Sequence, residues 1–145
     1  MVPGRIINCT FRRFPKAMRG GFMQIFYIGL FGAFGCLSRY AVSGWTYTLV
    51  GRGLPYGTLV VNVAGSFLLG LVMEATLHST VLSPEVRMGI TTGFMGGFTT
   101  FSTFSYETFR LFEDGSYLAA GANIVLNIVI CLVFAGLGIS LAKRI

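Results

Sequence analysis

The chain has 145 residues, 54% of them hydrophobic and only 11% charged, with a mean hydropathy of +0.74. Soluble domains carry roughly 25% charged residues, so this chain lacks the side chains to dress a water-facing surface. Four bilayer crossings need about 20 apolar residues each, and the composition supplies them. A soluble enzyme and a sizeable extramembrane domain are both excluded.

The formal charge of +6 is unevenly placed. Residues 1–22 hold Arg5, Arg12, Arg13, Lys16 and Arg19 with no acid, while six bases and five acids nearly cancel over the rest. A basic arm beside a membrane body reads as a topology signal or an anionic-lipid contact, and no nucleic-acid partner is expected. With Pro3 and Pro15, the arm is too polar to cross a bilayer, and the apolar run behind it is too long for a signal-peptide core. Met18 and Met23 offer alternative starts, so residues 1–22 are set apart from a membrane unit over 23–145.

Turn residues and charges divide that unit into four apolar spans. The first covers about 23–50 and closes at Gly51-Arg52-Gly53-Leu54-Pro55. The second covers about 56–77, the third about 85–109, and the fourth about 116–142, ending at Lys143-Arg144. The expected fold is an all-α membrane protein of four transmembrane helices. Gly29, Gly32 and Gly35 in the first span and Gly89, Gly93 and Gly97 in the third form small-residue stripes. Such stripes let helix backbones approach closely in lipid, either within the chain or at a dimer seam. Four thin helices hardly enclose a water-filled path alone, which favours an oligomer.

With the arm counted, the lysine and arginine rule puts both termini on the cytoplasmic side. Without it the bias is weak enough to permit insertion both ways. Cys9, Cys36 and Cys131 have no disulfide or metal spacing, and His78 is the single histidine, so neither a disulfide framework nor a transition-metal site is expected.

Polar residues inside a membrane are costly, and the third span concentrates them from Gly96 to Glu107. Two adjacent glycines followed by hydroxyl residues weaken a helix at mid-membrane, and a break there frees backbone groups that must meet protein, water or an ion. On a helical wheel Phe98, Phe101 and Phe104 share one side; Thr99, Ser102 and Tyr106 share another, with Thr100, Thr103 and Glu107 beside it. Phenylalanine ring edges are electropositive and can face an anion without a formal charge. In the second span Asn62 offers two amide donors and a carbonyl, with Thr58 one turn earlier; it suits either an interhelical clamp or an ion contact. Asn123 and Asn127 are one turn apart in the fourth span, so three helices can supply amides or hydroxyls to one interior. Arg39 lies well inside the first span, in a vestibule or structural position. Glu107 has no obvious acid–base partner, and no catalytic or phosphate-binding motif occurs.

The run Gly93-Phe94-Met95-Gly96-Gly97-Phe98-Thr99-Thr100-Phe101-Ser102-Thr103-Phe104-Ser105-Tyr106-Glu107 resembles the third-helix signature of the Fluc (CrcB) fluoride channel family. Gly57-Thr58-Leu59 with Asn62 and Gly65-Ser66-Phe67 resembles its second helix, and Ser38-Arg39-Tyr40 the end of the first. The resemblance covers about residues 23–142. It implies an antiparallel, dual-topology homodimer in the cell membrane, with the third helix broken and two fluoride pathways, exporting cytoplasmic fluoride passively. Phe101 and Phe104 would supply ring edges and Asn62 its amide; Thr58, Ser102, Thr103 and Glu107 would form the polar track, with Asn127 as the fourth-helix member. Arg39 would correspond to the first helix's arginine. A structural sodium ion at the dimer centre would be held by the backbone carbonyls of Gly96 and Thr99. Small hydrated anions need donors that replace water yet release the ion, which neutral amides, hydroxyls and ring edges can do. The main rival, a four-span cation or drug/proton antiporter, needs an acid deep in the first span, where this chain has Arg39.

Overall fold

The computed structural model describes residues 21–51, 53–77 and 82–144. The basic arm up to residue 20, with Cys9, and also Arg52 and His78 lie outside the described residues. The described residues form helices joined by short turns, with no strand among them. In chain order they form α1 (Gly21–Val50), α2 (Tyr56–Ala75) and α3 (Pro84–Met88). A π-helical turn, Gly89–Phe94, leads into α4 (Met95–Phe98), and α5 (Phe101–Glu113) follows. The last run comprises α6 (Tyr117–Val125), a second π-helical turn (Leu126–Ile130) and α7 (Cys131–Ala142).

The breaks have local causes. α1 stops where Gly51 takes a left-handed φ of 85° and returns its N–H to the Tyr47 carbonyl; a side chain there would be strained. α3 begins at Ser83, whose hydroxyl accepts the Val86 N–H, with proline in the first turn, where its missing donor costs nothing. α5 closes through Gly115, φ 74°, and the Ser116 N–H reaches back to the Leu111 carbonyl.

Three helical runs, 21–50, 56–75 and 117–142, are long and apolar enough to cross a membrane. The run from 84 to 113 is divided: α4 ends at Phe98, Thr99 and Thr100 are extended (ψ 158° and φ −153°), and α5 restarts at Phe101. α1 packs on the first π-turn and α4, α2 on α7, and α5 on α6.

The glycine stripes explain the close packing. A Cβ on Gly97 would sit 2.6 Å from the Gly32 carbonyl oxygen, one on Gly93 2.6 Å from that of Ile28, and one on Gly70 2.5 Å from that of Ala135. The stripes on α1 and on the 89–97 run therefore face each other within one chain, while Gly29 stands in open space. Large apolar side chains cover the outside: Leu118 is 89% exposed and Phe22 80%. In a protein that lives in lipid, that is the expected polarity of the surface.

Candidate functional site

The interruption at Thr99–Thr100 is bridged by the second helical run. Asn62 Oδ1 accepts the Thr100 backbone N–H at 2.8 Å, and Asn62 Nδ2 donates to the Thr100 carbonyl at 3.3 Å. One amide thus satisfies both backbone groups of the residue where the helix is lost, as a buried break requires. The same Nδ2 also donates to Asn127 Oδ1 at 3.1 Å, joining α2 to the fourth run. Asn62, Thr58 and Asn127 are all buried. Asn62 thus ties the second run to the third and fourth, and both its donors are engaged.

Thr100 works from the other side. Its hydroxyl accepts the Thr103 N–H at 3.2 Å, capping α5, and donates to Thr103 Oγ1 at 2.9 Å. Ser102 Oγ lies 3.3 Å from the Thr100 hydroxyl. An unbroken helix would pair the Thr100 N–H with the Gly96 carbonyl and the Thr103 N–H with the Thr99 carbonyl. Asn62 and the Thr100 hydroxyl take those donors instead, releasing the Gly96 and Thr99 oxygens from those two bonds. Carbonyls freed at a break are the groups that can hold a cation in a membrane.

The aromatic residues divide. Phe101 and Phe104 lie with ring centroids 5.2 Å apart and tilted by 57°, Phe104 buried and Phe101 75% exposed. Phe98 instead stacks on Phe94, centroids 5.7 Å apart. The helical wheel that put Phe98 beside Phe101 assumed a continuous helix, and the extended Thr99–Thr100 pair separates them.

Glu107 does have a partner: the Tyr47 hydroxyl donates to its Oε1 at 3.2 Å, while Oε2 is buried without one. The sequence offered no signal for this pairing, because Tyr47 is 60 residues away on α1. Tyr47 and Glu107 line an open cleft of about 380 Å³ with Tyr106 and Arg110. Ser102 and Thr103 are exposed on the chain's outer face, as is Gly96, whereas Thr99 is half-buried. Arg39 is half-buried on α1 and makes no ion pair among the described residues. The cluster extends through Asn123 to Thr108, which the sequence did not single out: Asn127 Nδ2 donates to Asn123 Oδ1 at 2.9 Å, and Asn123 Nδ2 to Thr108 Oγ1 at 2.8 Å.

Comparison with known proteins places this architecture. The family model described as CrcB-like protein, Camphor Resistance (CrcB), matches residues 26–139. The chain belongs to the CrcB family. Among its relatives, the fluoride-specific ion channel FluC of Syntrophotalea carbinolica is 68% identical over 123 residues, 85% of this chain and 100% of the relative. The protein of the same name from Geotalea daltonii is 58% identical over 121 residues, covering 83% of this chain and 98% of the relative. That from Geobacter sulfurreducens is 53% identical over 118 residues, covering 81% and 95%. Membership in the CrcB family, together with the three apolar runs, makes the chain a multi-pass membrane protein.

Proposed function

We propose that this chain is a fluoride-selective passive ion channel, not an enzyme, and that it lets cytoplasmic fluoride leave the cell. The relatives' shared name, fluoride-specific ion channel, supplies the ion. The observation that carries the reading is the buried amide and hydroxyl cluster at Thr99–Thr100, adjoining the Phe101–Phe104 ring pair. It offers hydrogen-bond donors and electropositive ring edges with no buried base among them, which suits an anion that must bind and then leave.

In this reading the run from 84 to 113 is the third of four spans, broken mid-membrane. Asn62 serves the ion by lending the donor now spent on its longer bond, 3.3 Å to the Thr100 carbonyl. The Thr103 hydroxyl accepts from Thr100, so its own proton is available, and Ser102 stands beside it. Thr58, Asn127 and Glu107 continue the polar track, and Arg39 sits in a vestibule. Phe101, Ser102 and Thr103 lie on the outer face of one chain, where they would form half of a pathway wall. A second copy, inserted in the opposite sense, completes it and yields a dual-topology homodimer with two pathways. At the centre of that dimer the Gly96 and Thr99 carbonyls from both copies would hold a structural sodium ion; their release from helical bonding supports the assignment.

The test is growth. In a bacterium stripped of its own fluoride exporter, expression of the chain should restore growth in millimolar fluoride. Equal membrane expression with no rescue would contradict the proposal.

A further inference from the structure

Four buried side chains form a hydrogen-bonded series with a single direction. The Thr108 hydroxyl gives its one proton to the Phe104 carbonyl at 2.7 Å, so toward Asn123 it can only accept. Asn123 must therefore turn its NH₂ to Thr108, 2.8 Å away, which leaves its Oδ1 facing Asn127. Asn127 Nδ2 donates to that Oδ1 at 2.9 Å and to the Asn123 backbone carbonyl at 3.1 Å. Asn127 Oδ1 is thereby aimed at Asn62, whose Nδ2 meets it at 3.1 Å. The Asn62 Oδ1 is then left for the Thr100 N–H. Amide orientations are often ambiguous; here the series is held at one end by a hydroxyl that has no second proton to give and at the other by the Thr100 N–H, which can only donate, and all its members agree. All four side chains are buried, so a reversed amide would set two donors or two acceptors against each other without water to relieve them.

We infer that Thr108 and Asn123 are positioning residues, which hold the Asn62 amide with its donor end toward Asn127 and its carbonyl toward the broken backbone. The inference rests on the reading of Asn62 as a fluoride contact. Neither residue touches the ion; they act through Asn127. Thr108→Val keeps the shape of threonine but removes the acceptor that starts the series, and Thr108→Ser keeps it.

Two measurements on purified full-length protein test this. The first is fluoride efflux from liposomes. Thr108→Val and Asn123→Ala should each slow efflux at least about fivefold with unchanged chromatographic size, as loss of one buried hydrogen bond implies. Thr108→Ser should stay within about twofold of wild type, and Thr108→Val should cost little more in an Asn127→Ala background, where the series is already cut. Wild-type efflux from Thr108→Val, or losses that multiply in the double variant, would overturn the inference. The second is NMR of ¹⁵N-asparagine-labelled protein in micelles. Thr108→Val should shift or broaden the Asn62 side-chain NH₂ signals and Thr108→Ser should not; unmoved signals would overturn the inference. A wild-type protein that released no fluoride would remove the channel reading alone, because the NMR result still decides the orientation.

Discussion

Asn62 is spent three times over, on both backbone groups of Thr100 and on Asn127. Asn62→Asp would keep an acceptor for the Thr100 N–H but set a second acceptor against Asn127 Oδ1, and it would put negative charge where an anion is to pass. Fluoride efflux from reconstituted liposomes should fall at least about tenfold, roughly 1.4 kcal/mol in barrier height. Unchanged flux would remove Asn62 from the path. The rings are tested in the same assay: Phe101→Ile and Phe104→Ile keep apolar bulk but lose the electropositive edge, so each should lower throughput while the protein still assembles. Wild-type flux through both variants would sink the ring-edge argument. Much at this scale was legible beforehand. Asn62, Thr58 and Asn127 stand out because amides and hydroxyls are scarce in apolar runs, and all three are buried together or near one another. Tyr47 and Thr108 were not legible. Tyrosine and threonine are ordinary in membrane helices, and only the folded chain brings Tyr47 to Glu107 and, through the packing of α6 on α5, Thr108 to Asn123.

At the scale of elements, glycine spacing marked a packing stripe but could not say what packed there. The structure sets Gly97 against the Gly32 carbonyl and the Cys36 N–H, the latter 3.1 Å from a Cβ built on Gly97. Both contacts are backbone, which cannot swing aside. Gly97→Ala should therefore push α1 off the third run and cost about 1–3 kcal/mol, visible as a lower thermal midpoint in detergent. Gly29→Ala meets nothing within 4 Å of its new methyl and should leave that midpoint unchanged or raise it, since alanine is the better helix former. Equal midpoints for Gly97→Ala and wild type would contradict the packing. The Gly96-Gly97 pair followed by hydroxyl residues pointed to a weak stretch of helix, and the chain departs from helical geometry at Thr99–Thr100, after the glycines, where Asn62 and the Thr100 hydroxyl offer the backbone other partners. Both π-turns were invisible to a reading based on a period of 3.6 residues, and the second carries Asn127.

Among the described residues, large apolar side chains face outward and amides and hydroxyls gather inside, the reverse of a soluble protein. Its exposed leucines and phenylalanines need an apolar surrounding, and in the proposed dimer the outward Phe101, Ser102 and Thr103 would be covered by the second copy. The proposed function gives the chain a passive, selective path lined by neutral donors. That claim is tested most directly by loading liposomes containing the purified protein with potassium fluoride or potassium chloride and adding a potassium ionophore to dissipate voltage. Ion-selective electrodes then follow each anion outside. Rapid fluoride release with little chloride leak is the result expected of a selective passive channel. Fluoride release no faster than from protein-free liposomes, or equal release of both anions, would contradict it.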